Sequence, residues 1–330
     1  MKRTSILASF IIFQSICCWL SPAAAVAQPL TSRTVTASAY IERGAAWFSK
    51  GDYERALADF DLAIASDPGH AEAYYNRALA RYRLNDYERA LADFTRAIQL
   101  KPRYTAAYVD RAGVRYQQGD LDGVISDCDK TIELEPRLAI AWNNRALARS
   151  GKGDHVGALA DFDRAIKLEP RRAVLYNNRG VARFRLRDFD GAISDQTRAI
   201  KLNPEFVEAW SDRGAAREFK GDLEGALADF NQVIKLNPRF AIAWFNRAIH
   251  WQAKGELERA ESDFTRAIEL NPNMADAYAQ RGLVRLMRGR SDEAQQDFDR
   301  CLALNVNLRQ SLERLIDETK QQMSGRKPMR

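Results

Sequence analysis

From Ala37 to Leu308 the chain repeats itself every 34 residues, eight times over, with no insertion or deletion between copies. The prolines carry the register: Pro68, Pro102, Pro136, Pro170, Pro204, Pro238 and Pro272 stand 34 apart, and Val306 takes the eighth place. A period of that length marks a solenoid, because each unit is too small to bury its apolar face alone and does so against its neighbours. Such a stack offers a long surface and no enclosed pocket, so the expected mode of action is to hold another molecule. Length alone, at 330 residues, would suggest about two compact domains, but a repeat of this regularity overrides that prior.

The fourth block, Ala139 to Arg172, shows what one copy encodes. Trp142, Ala146 and Leu147, then Ala158, Leu159, Phe162, Ala165 and Ile166, recur at helical spacing. Gly151, Gly153 and Asp154 separate the two runs, and Pro170 ends the second, since proline keeps the preceding residue out of the helix and has no N–H to donate. The pattern predicts helix, tight turn, helix, short turn.

Across the copies the fourth residue is aromatic: Tyr40, Tyr74, Tyr108, Trp142, Tyr176, Trp210, Trp244 and Tyr278. The eighth is small, from Gly44 and Ala78 to Gly282, and the twentieth is alanine except at Val124. The twenty-fourth is Phe60, Phe94, Phe162, Phe230, Phe264 and Phe298, with Cys128 and Gln196 as departures. Small residues let paired helices approach and aromatics fill the space between layers. The set resembles the tetratricopeptide repeat family, whose pattern is W-x₂-L-G-x₂-Y…A-x₃-F…P, over Ala37 to Leu308. The resemblance implies an all-α fold, a right-handed α-solenoid of eight helix-turn-helix repeats at 37–70, 71–104, 105–138, 139–172, 173–206, 207–240, 241–274 and 275–308. Copies three and five, with Cys128 and Gln196, are expected to be the softest layers. Beyond Leu308, the residues Leu312, Leu315, Ile316 and Thr319 share one helical face, which predicts a capping helix over 309–323 and a frayed tail over 324–330.

The N-terminus differs in kind. Lys2 and Arg3 precede an uncharged, mostly apolar run from Ile6 to Leu20, and small residues lead to a cleavage site after Ala27. This predicts a secretory signal peptide over 1–27, followed by a linker over 28–36. The apolar run is shorter than the roughly 20 residues of a spanning helix, so a retained anchor is the lesser reading, and Ile16 before Cys17 argues against a lipoprotein. No transmembrane anchor is expected after cleavage, and the mature chain is expected in the periplasm or secreted. The style of the signal suggests a bacterial source.

Hydrophobic content of 46% with 28% charge excludes a disordered chain. Loss of Lys2 and Arg3 lowers the formal charge from +6 to +4, and six basic residues against three acidic after Leu308 carry most of that. The repeats are close to neutral, so nucleic acid is not an expected partner. Cys128 and Cys301 are the cysteines beyond the signal, too many layers apart for a bridge. They read as two buried thiols packing like small apolar residues, with a reactive thiol as the alternative.

Two ladders depart from the family pattern. The seventh position is arginine in every copy and the twenty-third is aspartate: Arg43 and Asp59, Arg77 and Asp93, Arg111 and Asp127, Arg145 and Asp161, Arg179 and Asp195, Arg213 and Asp229, Arg247 and Asp263, Arg281 and Asp297. An antiparallel hairpin that turns between positions 15 and 16 sets position 7 beside position 23, so each arginine can reach its own aspartate. Position 11 adds Arg81, Arg115, Arg149, Arg183, Arg217 and Arg285, with Trp47 and Trp251 as exceptions, so most aspartates could be shared by two guanidinium groups. These are read as structural ion pairs; a row of arginines free for acidic ligands is the alternative, which one-to-one matching disfavours.

The second ladder runs along the opposite side of the first helix, where position 6 reads Glu42, Asn76, Asp110, Asn144, Asn178, Asp212, Asn246 and Gln280. In the family this face lines the concave groove, and in relatives such as the O-linked N-acetylglucosamine transferase asparagines at this place grip a bound peptide's main chain. The resemblance therefore makes Asn76, Asn144, Asn178 and Asn246 candidate ligand contacts, with Asp110 and Asp212 beside them and Tyr75, Asn143, Asn177 and Phe245 flanking at position 5. A carboxamide suits that role, because it donates and accepts at once and can pair with any peptide unit. The alternative is that these asparagines bond one another and water between adjacent first helices.

Catalytic readings find little support. His70, His155 and His250 occupy three different block positions and cannot converge with Cys128 or Cys301 on a metal or nucleophile site. No glycine-rich phosphate loop or nucleophile elbow appears. The expectation is a non-enzymatic scaffold that binds a protein or peptide, with no cofactor and no metal; a scaffold for envelope polysaccharide synthesis or export, or a periplasmic chaperone for secreted subunits, are the alternatives.

Overall fold

The computed structural model describes residues 36–325. The expected signal peptide lies outside those residues, as do most of the linker and the last five residues of the tail, 326–330. Among the described residues there are seventeen α-helices, one short 3₁₀ turn and no strand. Contacts divide the chain into two compact units between Ala182 and Arg183.

The first unit stacks four helical hairpins: α1 (Ala37–Ser49) with α2 (Tyr53–Ser66), α3 (Ala71–Arg83) with α4 (Tyr87–Leu100), α5 (Thr105–Gln117) with α6 (Leu121–Leu134), and α7 (Ala139–Gly151) with α8 (His155–Leu168). The boundary falls inside α9 (Ala173–Arg185). The second unit continues with α10 (Phe189–Leu202), α11 (Val207–Lys220) on α12 (Leu223–Leu236), α13 (Ala241–Lys254) on α14 (Leu257–Leu270), and α15 (Ala275–Met287) on α16 (Ser291–Leu304). A 3₁₀ turn at Val306–Leu308 leads into α17 (Arg309–Gly325). Successive helices pack on one another from α1 to α8 and from α10 to α16, α17 packs on α15, and first helices touch at α1 with α3, α3 with α5, α5 with α7 and α13 with α15. Each unit is thus an all-α stack of consecutive helix pairs.

The hairpin turn is chemically explicit. Position 15 enters the left-handed region at Gly51, Gly119, Gly153, Gly221, Gly255 and Gly289, and at Asn85 and Arg187 in the second and fifth copies. Glycine takes this conformation without penalty, whereas a side chain with a Cβ is strained there. The next residue then caps the second helix: Asp52, Asp86, Asp120, Asp154, Asp188 and Asp222 each accept from the backbone N–H three residues on, at 2.8–3.4 Å. Glu256 and Arg290 stand in the last two copies and make no such bond.

Six copies close on a buried ring. Phe60, Phe94, Phe162, Phe230 and Phe264 are inaccessible to solvent, and an added Cβ at Gly44, Gly214 or Gly282 would stand only 2.5–2.6 Å from the phenylalanine opposite. Cys128 and Gln196 are buried in the same role, and both amide atoms of Gln196 lack a hydrogen-bond partner. Burial pushes the thiols of Cys128 and Cys301 above the ordinary cysteine range, and both are free. At the C-terminus α17 sets Leu312, Leu315 and Ile316 against Ala279, Leu283, Leu286 and Phe298. It ends at Gly325, two residues beyond the predicted limit of 323, because no helix-breaking residue precedes that glycine.

Candidate functional site

The arginine ladder is built from one helix face and both neighbouring second helices. In seven copies, from Arg43 with Asp59 to Arg281 with Asp297, Nη2 donates to Oδ1 at 2.5–2.9 Å and Nε to Oδ2 at 2.7–3.0 Å. Arg111, Arg145, Arg213 and Arg247 are among them. The remaining nitrogen, Nη1, reaches back to position 25 of the preceding copy: Arg77 to Asp61, Arg145 to Asp129 and Arg179 to Asp163, all at 2.6 Å, and Arg111, Arg213, Arg247 and Arg281 to Thr95, Thr197, Asn231 and Thr265 at 2.8–3.2 Å. The guanidinium also lies 4.7–5.7 Å from the centre of the fourth-position ring, which adds a cation–π contact.

Position 11 adds a second donor to the same carboxylates. Arg81, Arg115, Arg149, Arg183, Arg217 and Arg285 reach Asp93, Asp127, Asp161, Asp195, Asp229 and Asp297 at 2.6–3.0 Å. Burial opposes the charge of Arg77 and Arg145 most, yet the bonds to their aspartates outweigh it and hold both above the ordinary guanidinium value. Arginines so committed bind within the repeats, and an acidic ligand would have to break an existing pair to reach them.

The position-6 ladder lies at the seam between successive first helices. Asn144 and Asn246 are wholly buried, and Asn76 and Asn178 are 2–3% exposed. Asn178 donates to Asn143 at 3.0 Å, and Asn143 donates to Asn144 at 3.1 Å. The phenol of Tyr75 likewise donates to Asp110 at 2.7 Å. Both cross-helix bonds join residues 35 apart, position 5 of one copy to position 6 of the next. Asn177 and Asp212 are fully buried as well, and Phe245 stacks edge-on against Phe264. The reason is geometric: first helices lie side by side, so residues that turn away from the hairpin partner meet the next first helix before they meet solvent.

An open cleft stands in the second unit. The first helices α13 and α15, with α17, enclose about 810 Å³. Phe245, Ile249 and Leu283 line it with Met287, Leu312 and Leu315, and Glu218, His250, Gln252, Asp276, Arg314 and Glu318 supply its polar groups. His250 is 2% exposed and neither ring nitrogen has a partner. Burial, and then the charge of Lys254, depress its pKa, so the imidazole is neutral at pH 7.

Three of these polar residues break the register. Position 10 is Ala46, Ala80, Val114, Ala148, Ala182, Ala216 and Val284 in the other copies but His250 in the seventh. Position 12 is apolar in Phe48, Tyr82, Tyr116, Phe184 and Leu286, serine at Ser150, and Glu218 and Gln252 in copies six and seven. A further departure sits at position 21, where Glu261 replaces the leucine or isoleucine of the first six copies. Its buried carboxylate accepts from Arg285 and Arg290 at 2.8 Å and Arg288 at 2.5 Å. Aligning the copies and asking which buried positions turn polar would have found all four.

Models of the tetratricopeptide repeat match residues 43–112, 143–205, 177–232, 241–274 and 264–296. No curated protein matches the sequence. Among solved structures, a tetratricopeptide repeat protein from Parabacteroides merdae is 19% identical over 75% of this chain and 98% of that one, with a TM-score of 0.63. The APC/C hetero-tetramer Cut9-Hcn1 is 15% identical over 85% of this chain and 55% of that one, also at 0.63. At such identities the likeness is one of fold, and a stack of this kind is an interaction scaffold whose extended face is its binding surface. On its repeat models and its helix pairs alike, the chain belongs to the tetratricopeptide repeat family.

Proposed function

We propose that the chain is a non-enzymatic adaptor of the bacterial envelope, which holds a protein or peptide ligand against the face formed by its first helices. The observation that carries this reading is the open cleft of α13, α15 and α17, where Phe245, Ile249 and Leu283 meet groups able to bond a main chain. The buried carboxamides of Asn143, Asn144 and Asn178 support it differently: they set the spacing of neighbouring first helices and so shape the floor on which a guest rests. Export is supported by Lys2 and Arg3 before the apolar run and by the small residues up to Ala27.

A photoreactive residue in place of Met287, which lines the cleft, tests the reading in living cells. A specific polypeptide crosslinked in the envelope fraction, on a chain whose mature N-terminus is Gln28, is the expected result. Exclusive recovery of glycan adducts would instead favour the polysaccharide scaffold, and an uncleaved cytoplasmic chain would overturn the envelope assignment.

A further inference from the structure

The three register departures in the cleft are all polar: His250 sits where the other copies pack alanine or valine, and Glu218 and Gln252 sit where five of the other six copies pack an aromatic ring or leucine and one a serine. Such a substitution weakens the stack unless something else gains from it, because a buried polar atom without a partner loses its water and receives nothing in return. His250 Nδ1 and Nε2 and Gln252 Oε1 are buried atoms of this kind. They share the cleft lining with the carboxylates of Glu218, Asp276 and Glu318, against one guanidinium, Arg314, which lies 3.7 Å from Glu318.

We infer that this cleft receives a lysine or arginine side chain from an apolar peptide segment of a partner protein. The cation's N–H groups satisfy Gln252 Oε1 and one nitrogen of His250 beside the carboxylate of Glu218, while the guest's flanking apolar residues lie on Phe245, Ile249 and Leu283. The other ring nitrogen of neutral His250 carries a proton and donates to a main-chain carbonyl of the same guest. An aliphatic guest would leave these acceptors unpaired, and an acidic one would meet three carboxylates. Among the described residues no group of three or more His, Cys, Asp or Glu is arranged to hold a metal ion, so the donor set fits an organic cation.

This inference rests on the peptide-binding reading above, and one experiment separates the two. The full mature chain is applied to an array of otherwise random apolar peptides with a central lysine, norleucine or glutamate, and hits are measured by fluorescence anisotropy. Lysine peptides are expected to bind at least about tenfold tighter than their norleucine counterparts, with glutamate weakest. The variant Glu218→Leu/His250→Ala/Gln252→Leu, which restores residue types of the other copies, is expected to lose that preference while still binding norleucine peptides. His250→Ala alone serves the same purpose should the triple variant fail to fold. Peptides bound without preference for lysine, or a preference that survives in the variant, would overturn the inference and leave the scaffold reading intact; an array that binds no peptide would overturn both.

Discussion

Trp251 donates its indole N–H to Asp263 at 3.1 Å, from the block position where six other copies place an arginine. The aspartate has the same neighbours as its equivalents, with Arg247 bonding both of its oxygens, so a neutral ring donor replaces a second cation without leaving a lone pair unmet. Trp251→Phe keeps the packing and removes the donor. A loss of about 1.5–3 kcal/mol is expected, the usual range for a hydrogen bond to a charged group, read from urea denaturation; an unchanged midpoint would show the bond to be dispensable.

Asp161 and Asp59 occupy the same position and should not be equally important. Asp161 joins Arg145 and Arg149, both largely shielded, whereas Asp59 has Arg43 alone, half exposed at 51%. Asp161→Ala strands Arg149 and leaves Arg145 with Asp129 alone, and a loss of about 3–5 kcal/mol is expected. Asp59→Ala should lose about 1 kcal/mol or less, as solvent screens its partner. Equal losses in chemical denaturation would contradict the burial argument.

Arg187 sits at φ 64° in the turn of the fifth copy, where six other copies use glycine. Left-handed backbone strains a residue with a Cβ by roughly 1–2 kcal/mol, and glycine returns part of that gain as unfolded-state entropy. Arg187→Gly is therefore expected to stabilise by about 0.5–1 kcal/mol, while Asn85→Gly, starting from a residue that tolerates this conformation, should change little. Calorimetric melting of the two variants side by side checks the ordering.

Glu261 gives stability an acid limit. Burial works against its charge most, but Arg285, Arg290 and Arg288 outweigh it and hold its pKa below the ordinary glutamate value. With the folded value below the unfolded one, the contribution is complete above the unfolded pKa and fades as pH falls through the folded one. Glu261→Gln should flatten the fall in stability on the acid side of pH 5 and lower stability at pH 7. Identical acid limbs for variant and parent in pH-dependent denaturation would exclude this role.

Gln196 fills a phenylalanine position with both amide atoms buried and unpartnered. Gln196→Leu removes that burden at similar volume and should stabilise by about 1–3 kcal/mol, visible as a higher melting temperature. A drop would mean that the amide is bonded in solution.

The fold was open to reading because the repeat length, Pro170 and its equivalents, and the aromatic and small positions each describe one hairpin, and a hairpin's internal register follows from its turn. Arg145 and Asp161 belong to that class, being level across a single turn. The reach of Arg145 to Asp129 does not, since it depends on how one hairpin lies upon the next, an offset that no within-copy periodicity contains. The same offset sets Asn178 on Asn143 at the seam. The convergence of Glu218, His250 and Gln252 was visible only as three odd residues; the cleft they share exists because α17 folds against α15 and closes its side.

Six ladder arginines, Arg77, Arg111, Arg145, Arg213, Arg247 and Arg281, are held sixteen residues ahead and sixteen behind. That symmetry makes the chain splice-tolerant: excising residues 105–138 would bring Arg145 behind Thr95, which already serves Arg111 as an acceptor. The junctions between copies offer the same plug and socket, so duplication or loss of a whole 34-residue copy leaves each ladder arginine beside an acceptor of the copy before it.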